Sequence, residues 1–315
     1  MDAAAGALGK SESTARRLAN AVTNLSDSRF WAYYLLVPSL VLIFAVVLYP
    51  TIWGIGLSFR EMRLNRLDLG TGFVGLKHYV AMIEDPVFWL SLRNTIVWTT
   101  GAVIGEVTLG MAAALLLNRD LPGFRMASVL ILLPWFLPNV VAGHMWALML
   151  DPRLGVINDM LVKIGVLSTY KAWFADPDTA LASALVVEIW HGFPFFALLF
   201  LAGLKAIPND LYEAAAIDGA GPFQRFRFVT LPQLNTILVA AVVLRVISLV
   251  NSPDIILILT GGGPGRSTLV LSLYAFLKVN KEYNFGAGSA IAVLLLVLLM
   301  AFSYLYVRLS NVMKD

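Results

Sequence analysis

Several charged and polar side chains stand where solvent is scarce. Glu106, Glu188, Arg245, Asn251 and Asp254 each lie inside or at the edge of a long apolar run, as do His144 and His191. An ionisable group inside a membrane is costly, so it is either paired with another such group or placed where a solute or proton passes. Arg245, Ser248 and Ser252 follow i, i+3, i+7 spacing, which puts them on one helix face. Such a face can donate and accept hydrogen bonds to a polar solute. It can equally be satisfied internally, with Arg245 in a salt bridge to Glu188 or Glu106. A chain of Glu106, Glu188 and Arg245 would also be the material of a proton relay.

Other chemistries find no support. There is no cysteine, and the three histidines, His78, His144 and His191, are far apart and lack ligand spacing. No metal site and no cofactor are expected in this chain. Residues 261–268, reading GGGPGRST, resemble a phosphate loop only superficially: no lysine stands at the required position and an apolar helix precedes them. Residues 286–290 hold a serine among small residues, but no histidine is placed to activate it, so close helix packing is the better account. The net charge of +3 comes without a basic cluster, and nucleic acid is not an expected partner.

The elements that position these residues follow from hydropathy. Of the 315 residues, 59% are hydrophobic and 14% charged, against about a quarter charged in a soluble domain. About 20 apolar residues span the roughly 30 Å hydrocarbon core. Six runs meet that length, near 30–59, 94–118, 126–150, 179–204, 234–259 and 285–307. The fold class is therefore all-α: a polytopic transmembrane helical domain of six spans over residues 30–315, behind a polar tail at residues 1–29. Prolines at 38, 50, 134, 138 and 194 fall within spans, where neighbouring groups can re-satisfy the freed backbone. Lys and Arg divide equally between the two sides, so the positive-inside rule does not orient the chain.

The longest informative connection is 205–232, KAIPNDLYEAAAIDGAGPFQRFRFVTLP. Asp210 with Glu213 three residues on reads as a capping box opening a helix at Leu211. Alanines at 214, 215, 216 and 220 favour helix and leave a low-profile face. Gly219, Gly221 and Pro222 then break it. A second short helix carrying Phe223, Phe226 and Phe228 is expected to end before Leu231-Pro232 and to pack its aromatic face back on the spans. Long connections are often functional.

Glu213-Ala214-Ala215, then Gly219, then Val229-Thr230-Leu231-Pro232 resembles the EAA loop of binding-protein-dependent ABC importers, with valine in place of the usual isoleucine. Two further runs resemble carbohydrate-type permeases of the larger subunit, as in maltose and trehalose importers. One is Val74-Gly75-Leu76 through Asp85-Pro86-Val87-Phe88-Trp89 to Asn94-Thr95. The other is Asp254-Ile255 through Leu259-Thr260-Gly261-Gly262-Gly263-Pro264. The resemblance implies a type I ABC importer permease without the two extra N-terminal helices and extracytoplasmic domain of some maltose permeases. It implies that residues 205–232 are a cytoplasmic coupling loop, with Glu213, Ala214, Ala215, Asp218, Gly219, Gly221, Pro222, Leu231 and Pro232 docking on an ATPase. Both termini then lie in the cytoplasm and the protein is multi-pass in a bacterial inner membrane.

The same resemblance implies partners: a second permease of the smaller type, two ATP-binding-cassette subunits that hold ATP and Mg, an extracytoplasmic solute-binding protein, and a sugar. Solute contacts carried over by register are Arg245, Ser248, Leu249 and Ser252 in the fifth span, with neighbouring Asn251, and Trp190, His191, Gly192 and Phe195 in the fourth. Leu249 departs from the hydrogen-bonding residue of the family. Arg245 would suit an anionic glycoside. The rival expectation is a stand-alone ion-coupled carrier using Glu106, Glu188 and Arg245. No catalytic constellation supports an enzyme.

Overall fold

A computed structural model describes residues 31–66, 68, 70–119 and 124–312. The tail at residues 1–29 and most of the expected turn at 119–125, with Pro122 and Gly123, lie outside the described residues. The chain divides into two units, residues 1–56 and 57–315. The first contains one long apolar helix: α1 (Trp31–Ile43), a π-helical turn (Phe44–Leu48) and α2 (Tyr49–Leu57), whose last residue opens the second unit. Pro38 sits inside α1 without breaking it.

Pro50 shows how a proline is carried in an unbroken helix. Proline cannot donate, and its ring crowds the carbonyl four residues back. The ladder slips just before it, so that Tyr49 N–H reaches Phe44 O, an i→i−5 bond. The device recurs in the second unit. Leu231 N–H donates to Phe226 O at the end of a π-helical turn (Phe226–Thr230) immediately before Pro232.

In the second unit, α3 (Lys77–Glu84) and the polar stretch before it cap one end. Three long spans follow the expected runs: α4 (Pro86–Leu117), α8 (Ala180–Ala206) and α14 (Phe285–Val312). The second span starts eight residues before the expected 94, because Asp85 caps it by accepting from Val87 N–H at 2.8 Å and Pro86 takes the first turn. The third run is not one straight span. It is α5 (Phe124–Phe136) and α6 (Asn139–Met149), bent by 99° at Pro138. The fifth is also in two pieces, α11 (Leu231–Asn251) and α12 (Asp254–Leu259), separated at Ser252-Pro253. Counting the bent pair as one span gives six among the described residues. Short helices α7 (Val156–Lys163), α9 (Asn209–Ile217), α10 (Pro222–Arg225) and α13 (Leu271–Asn280) fill the connections.

The core lies between α4 and α8, which share the most extensive contact of any helix pair among the described residues. Gly101, Gly105 and Gly110 of α4 meet Leu185, Ile189 and the Phe193–Ala197 backbone of α8, the small-residue approach by which membrane helices associate. Phe196 and Phe200 fill the space beyond, fully buried. The motif residues before the second span now have physical roles. Tyr274 Oη donates to Asp85 Oδ2, Asn94 Nδ2 donates to Leu269 O at 3.1 Å, and Leu271 N–H donates to Thr95 Oγ1 at 2.9 Å. These side-chain hydrogen bonds, two of them to main-chain groups, fasten α13 and the residues just before it to α4 and its cap, and any apolar substitute would leave them unmade.

A methyl group at Gly110 would press on Ala197 N and Phe193 O, each 3.0 Å away, and on Phe196 Cβ. One at Gly105 would press on the Ile189 side chain, at Cδ1, Cγ1 and Cγ2, rather than on backbone. Gly110→Ala should therefore cost about 1–3 kcal/mol through overpacking and lower the thermal midpoint in detergent. Gly105→Ala should cost less than half as much.

Candidate functional site

Three spans contribute one ionic cluster. Glu106 comes from the middle of α4, Glu188 from the third turn of α8, and Arg245 from α11. Arg245 Nε and Nη2 donate to Glu106 Oε2 and Oε1 at 2.7 and 2.6 Å, a two-pronged pairing. Nη2 also donates to Glu188 Oε1 at 2.6 Å. Glu106 is 0% exposed, and the Arg245 side chain keeps 14%.

Gly192 lies one turn beyond Glu188. A Cβ there would collide with Glu106 Oε1 and Arg245 Nη2. The missing side chain at Gly192 thus makes room for the ionic cluster. His191, buried, donates from Nε2 to Leu137 O at 3.0 Å. That carbonyl is released where α5 stops, and His191 satisfies it. Trp190 packs edge-on against Trp146 at 5.4 Å, and Phe195 lies against Trp135 and Phe196. Leu249 points into the core.

The rest of the expected polar face is open. Ser248, Asn251 and Ser252 are exposed on α11 and at its end. Ser252 Oγ donates to Asp254 Oδ2 at 2.6 Å, and Asn139 Nδ2 donates to the same oxygen at 2.9 Å. Sequence reasoning did not single out Asn139. Its one signal is its position directly after Pro138, at a point where a span can break. The expected solute contacts therefore separate into an ionic cluster with its glycine, a partly buried aromatic group, and an exposed polar strip.

The segment at residues 205–232 is a helix–turn–helix. α9 starts at Asn209 behind Pro208, so the expected Asp210 cap is not formed. Proline already supplies the entry backbone angle, and Asp210 sits within the first turn, where its charge suits the helix dipole. The helix closes on Asp218. Gly219 has φ +76°, Gly219 N–H returns to Ala216 O at 3.1 Å, and Ala220 N–H returns to Ala215 O at 2.9 Å. This is the paired closure that a left-handed glycine permits. Gln224 Oε1 accepts from Gly221 N–H at 2.8 Å, and Arg225 Nε donates to Ala220 O at 2.8 Å, fixing α10 to the turn.

Two expectations for this segment are corrected. The second short helix does not stop before Leu231-Pro232. The π-helical turn carries it into α11, so helix is continuous from Pro222 to Asn251. Nor do the phenylalanines all pack back. Phe226 does, but Phe223 is 72% exposed and Phe228 also stands out. Ile217 is 88% exposed beside exposed Glu213, Ala214, Asp218 and Gly219.

Six spans, broken third and fifth helices, and a protruding helical turn between the fourth and fifth spans define a membrane permease subunit of an ABC importer. The chain belongs to the family of binding-protein-dependent transport system inner membrane components, whose pattern matches residues 106–314. It is similar to the trehalose/maltose transport system permease protein MalF of Thermococcus litoralis, 36% identical over 254 residues, covering 81% of this chain and 83% of the relative. It is also similar to the sulfoquinovosyl glycerol transport system permease protein SmoG of Agrobacterium fabrum, 37% identical over 246 residues, covering 78% and 79%. Its fold matches a chain of a bacterial ABC transporter for import of the acidic polysaccharide alginate, with TM-score 0.78 and 20% identity, over 95% of this chain and 100% of that one.

Removing Arg245 leaves two carboxylates facing each other without a counter-charge. Arg245→Met should cost about 3–5 kcal/mol and lower the yield of folded protein. Glu106→Gln, which keeps a hydrogen-bond acceptor, should cost less. The apolar triple variant E106M/E188L/R245M should recover much of the loss, read by thermal unfolding in detergent.

Proposed function

We propose that this chain forms half of the translocation path for a sugar or glycoside and couples it to ATPase subunits through residues 205–232. One observation carries the reading: the exposed turn at 217–222 joins without interruption a helix that reaches Arg245. Helix is stiff along its axis, so force applied at the turn is delivered to the ionic cluster and the polar strip. On this reading Glu213, Ala214, Ala215, Asp218, Gly219, Gly221 and Pro222 form the docking surface, with the base of the lever at Leu231 and Pro232. Two ATP-binding-cassette partners hold and hydrolyse ATP with Mg. A second permease of the smaller type completes the path, and an extracytoplasmic binding protein delivers solute. The docking turn faces the cytoplasm, as do both termini.

Ser248, Asn251 and Ser252 are the proposed hydroxyl partners of the solute, with Phe195 and Trp190 offering aromatic faces that suit sugar C–H surfaces. Arg245 is already held by two carboxylates, so it is not free to serve as the counter-charge of an anionic solute. A carrier relay would need carboxylates that change partners, whereas both oxygens of Glu106 are bonded to one guanidinium.

Gly219 is the sharpest test. Its φ of +76° strains any residue with a side chain, although nothing crowds the position. Gly219→Val should insert normally and keep the spans folded, yet abolish transport and recovery of the ATPase in a mild-detergent pull-down. Retention of both would overturn the docking assignment.

A further inference from the structure

The two broken spans break at the same place. α5 and α6 part at Pro138, α11 and α12 part at Pro253, and the residue next to each break meets the other on a single carboxylate oxygen: Asn139 Nδ2 and Ser252 Oγ both donate to Asp254 Oδ2. Beyond the breaks the second halves run together. Gly143 of α6 lies so close to α12 that a Cβ would come within 2.7 Å of Ile258 Cγ2. Topology fixes their level. The connection from the second to the third span and the one from the fourth to the fifth lie on the same side of the membrane, so α6 and α12 both occupy the half away from residues 205–232.

We propose that Asp254 is a positioning residue that clasps the two breaks, so that α6 and α12 move as one element in the outer half of the path. This rests on the importer reading above. The physics favours a clasp over a fixed brace. A helix break removes main-chain hydrogen bonds and leaves a hinge. Two hinges side by side would flex independently if nothing joined them. Asp254 accepts from Ser252 across its own break and from Asn139 across to the other, so one carboxylate oxygen ties both, and it can release both donors at once. The partly exposed setting of Asp254 and Asn139, beside exposed Ser248, Asn251 and Ser252, leaves water available to receive the donors on release. By contrast, the fully enclosed Glu106 has no such outlet. The first half of the third span stays anchored when the clasp opens, because His191 holds Leu137 O.

The test uses the intact complex purified with its ATPase subunits, in the absence of binding protein and solute. Loss of a charge-assisted hydrogen bond shifts the clasped-to-open balance by about tenfold. Asp254→Ala should therefore raise basal ATPase activity severalfold while the complex is recovered intact. Asn139→Asp, which sets two carboxylates against each other, should raise it further. The exchange N139D/D254N rebuilds one donor facing one acceptor, and should return basal activity most of the way. Thermal unfolding of the same variants should follow the same order. Unchanged basal activity in Asn139→Asp, or an exchange variant no better than either single change, would overturn the clasp. If no ATPase accompanies the chain, the importer reading fails instead; the melting order then decides the clasp, and the exchange failing to restore the midpoint refutes it.

Discussion

A guanidinium and two carboxylates inside the hydrocarbon zone cannot be left to find partners by chance. Each ion costs several kcal/mol to bring out of water, and only mutual pairing at hydrogen-bond distance offsets it. That requirement fixes three spans against one another. α4, α8 and α11 must arrive with Glu106, Glu188 and Arg245 at one level, and the close glycine-mediated contact of α4 with α8 is what allows it. Gly192 belongs to the same constraint, since a methyl group there would displace the pairing. The cluster is therefore a register pin for the inner core, around which less constrained pieces are arranged.

The less constrained pieces are where spans are interrupted, and proline acts in two ways. At Pro50 and Pro232 the helix absorbs the missing donor by slipping to an i→i−5 bond, and the rod stays whole. At Pro138 and Pro253 it does not, and the rod breaks. The difference lies in what surrounds the proline. Where a side chain takes over the orphaned carbonyl, as His191 does for Leu137, a break is tolerated inside the membrane. A stiff rod joining the exposed turn to the core, and hinged segments at the far end, is an arrangement that can turn a push at one face into a rearrangement at the other.

Much was legible in the residues alone. The six apolar runs, the all-helical class, the helical turn ending at Gly219 and the family could all be read from hydropathy, spacing and motif, because each is set by local composition or by a short contiguous pattern. The pairing of Arg245 with Glu106 and Glu188 was one of several readings of the same residues, because a charged residue in a span states its need for a partner and not which partner. Leu249 and Gly192 show what a count along the chain does not contain: one is buried in the core and the other stands against the ion cluster, facts of rotation and packing.

What the sequence determined by itself was the number of spans, since about 20 apolar residues cross a bilayer whatever they pack against, and the closed form of the turn at Gly219, since its glycine and alanines act within one helical turn. What only tertiary structure decided was which prolines break a helix and which polar groups meet. Asp210 lost its expected capping role to Pro208, and Asn139 gained a hydrogen-bond partner in Asp254, 115 residues away. Both outcomes depend on neighbours that chain order does not name, because backbone geometry settles local bonds while the pairing of distant ones is settled by how rigid helices can approach.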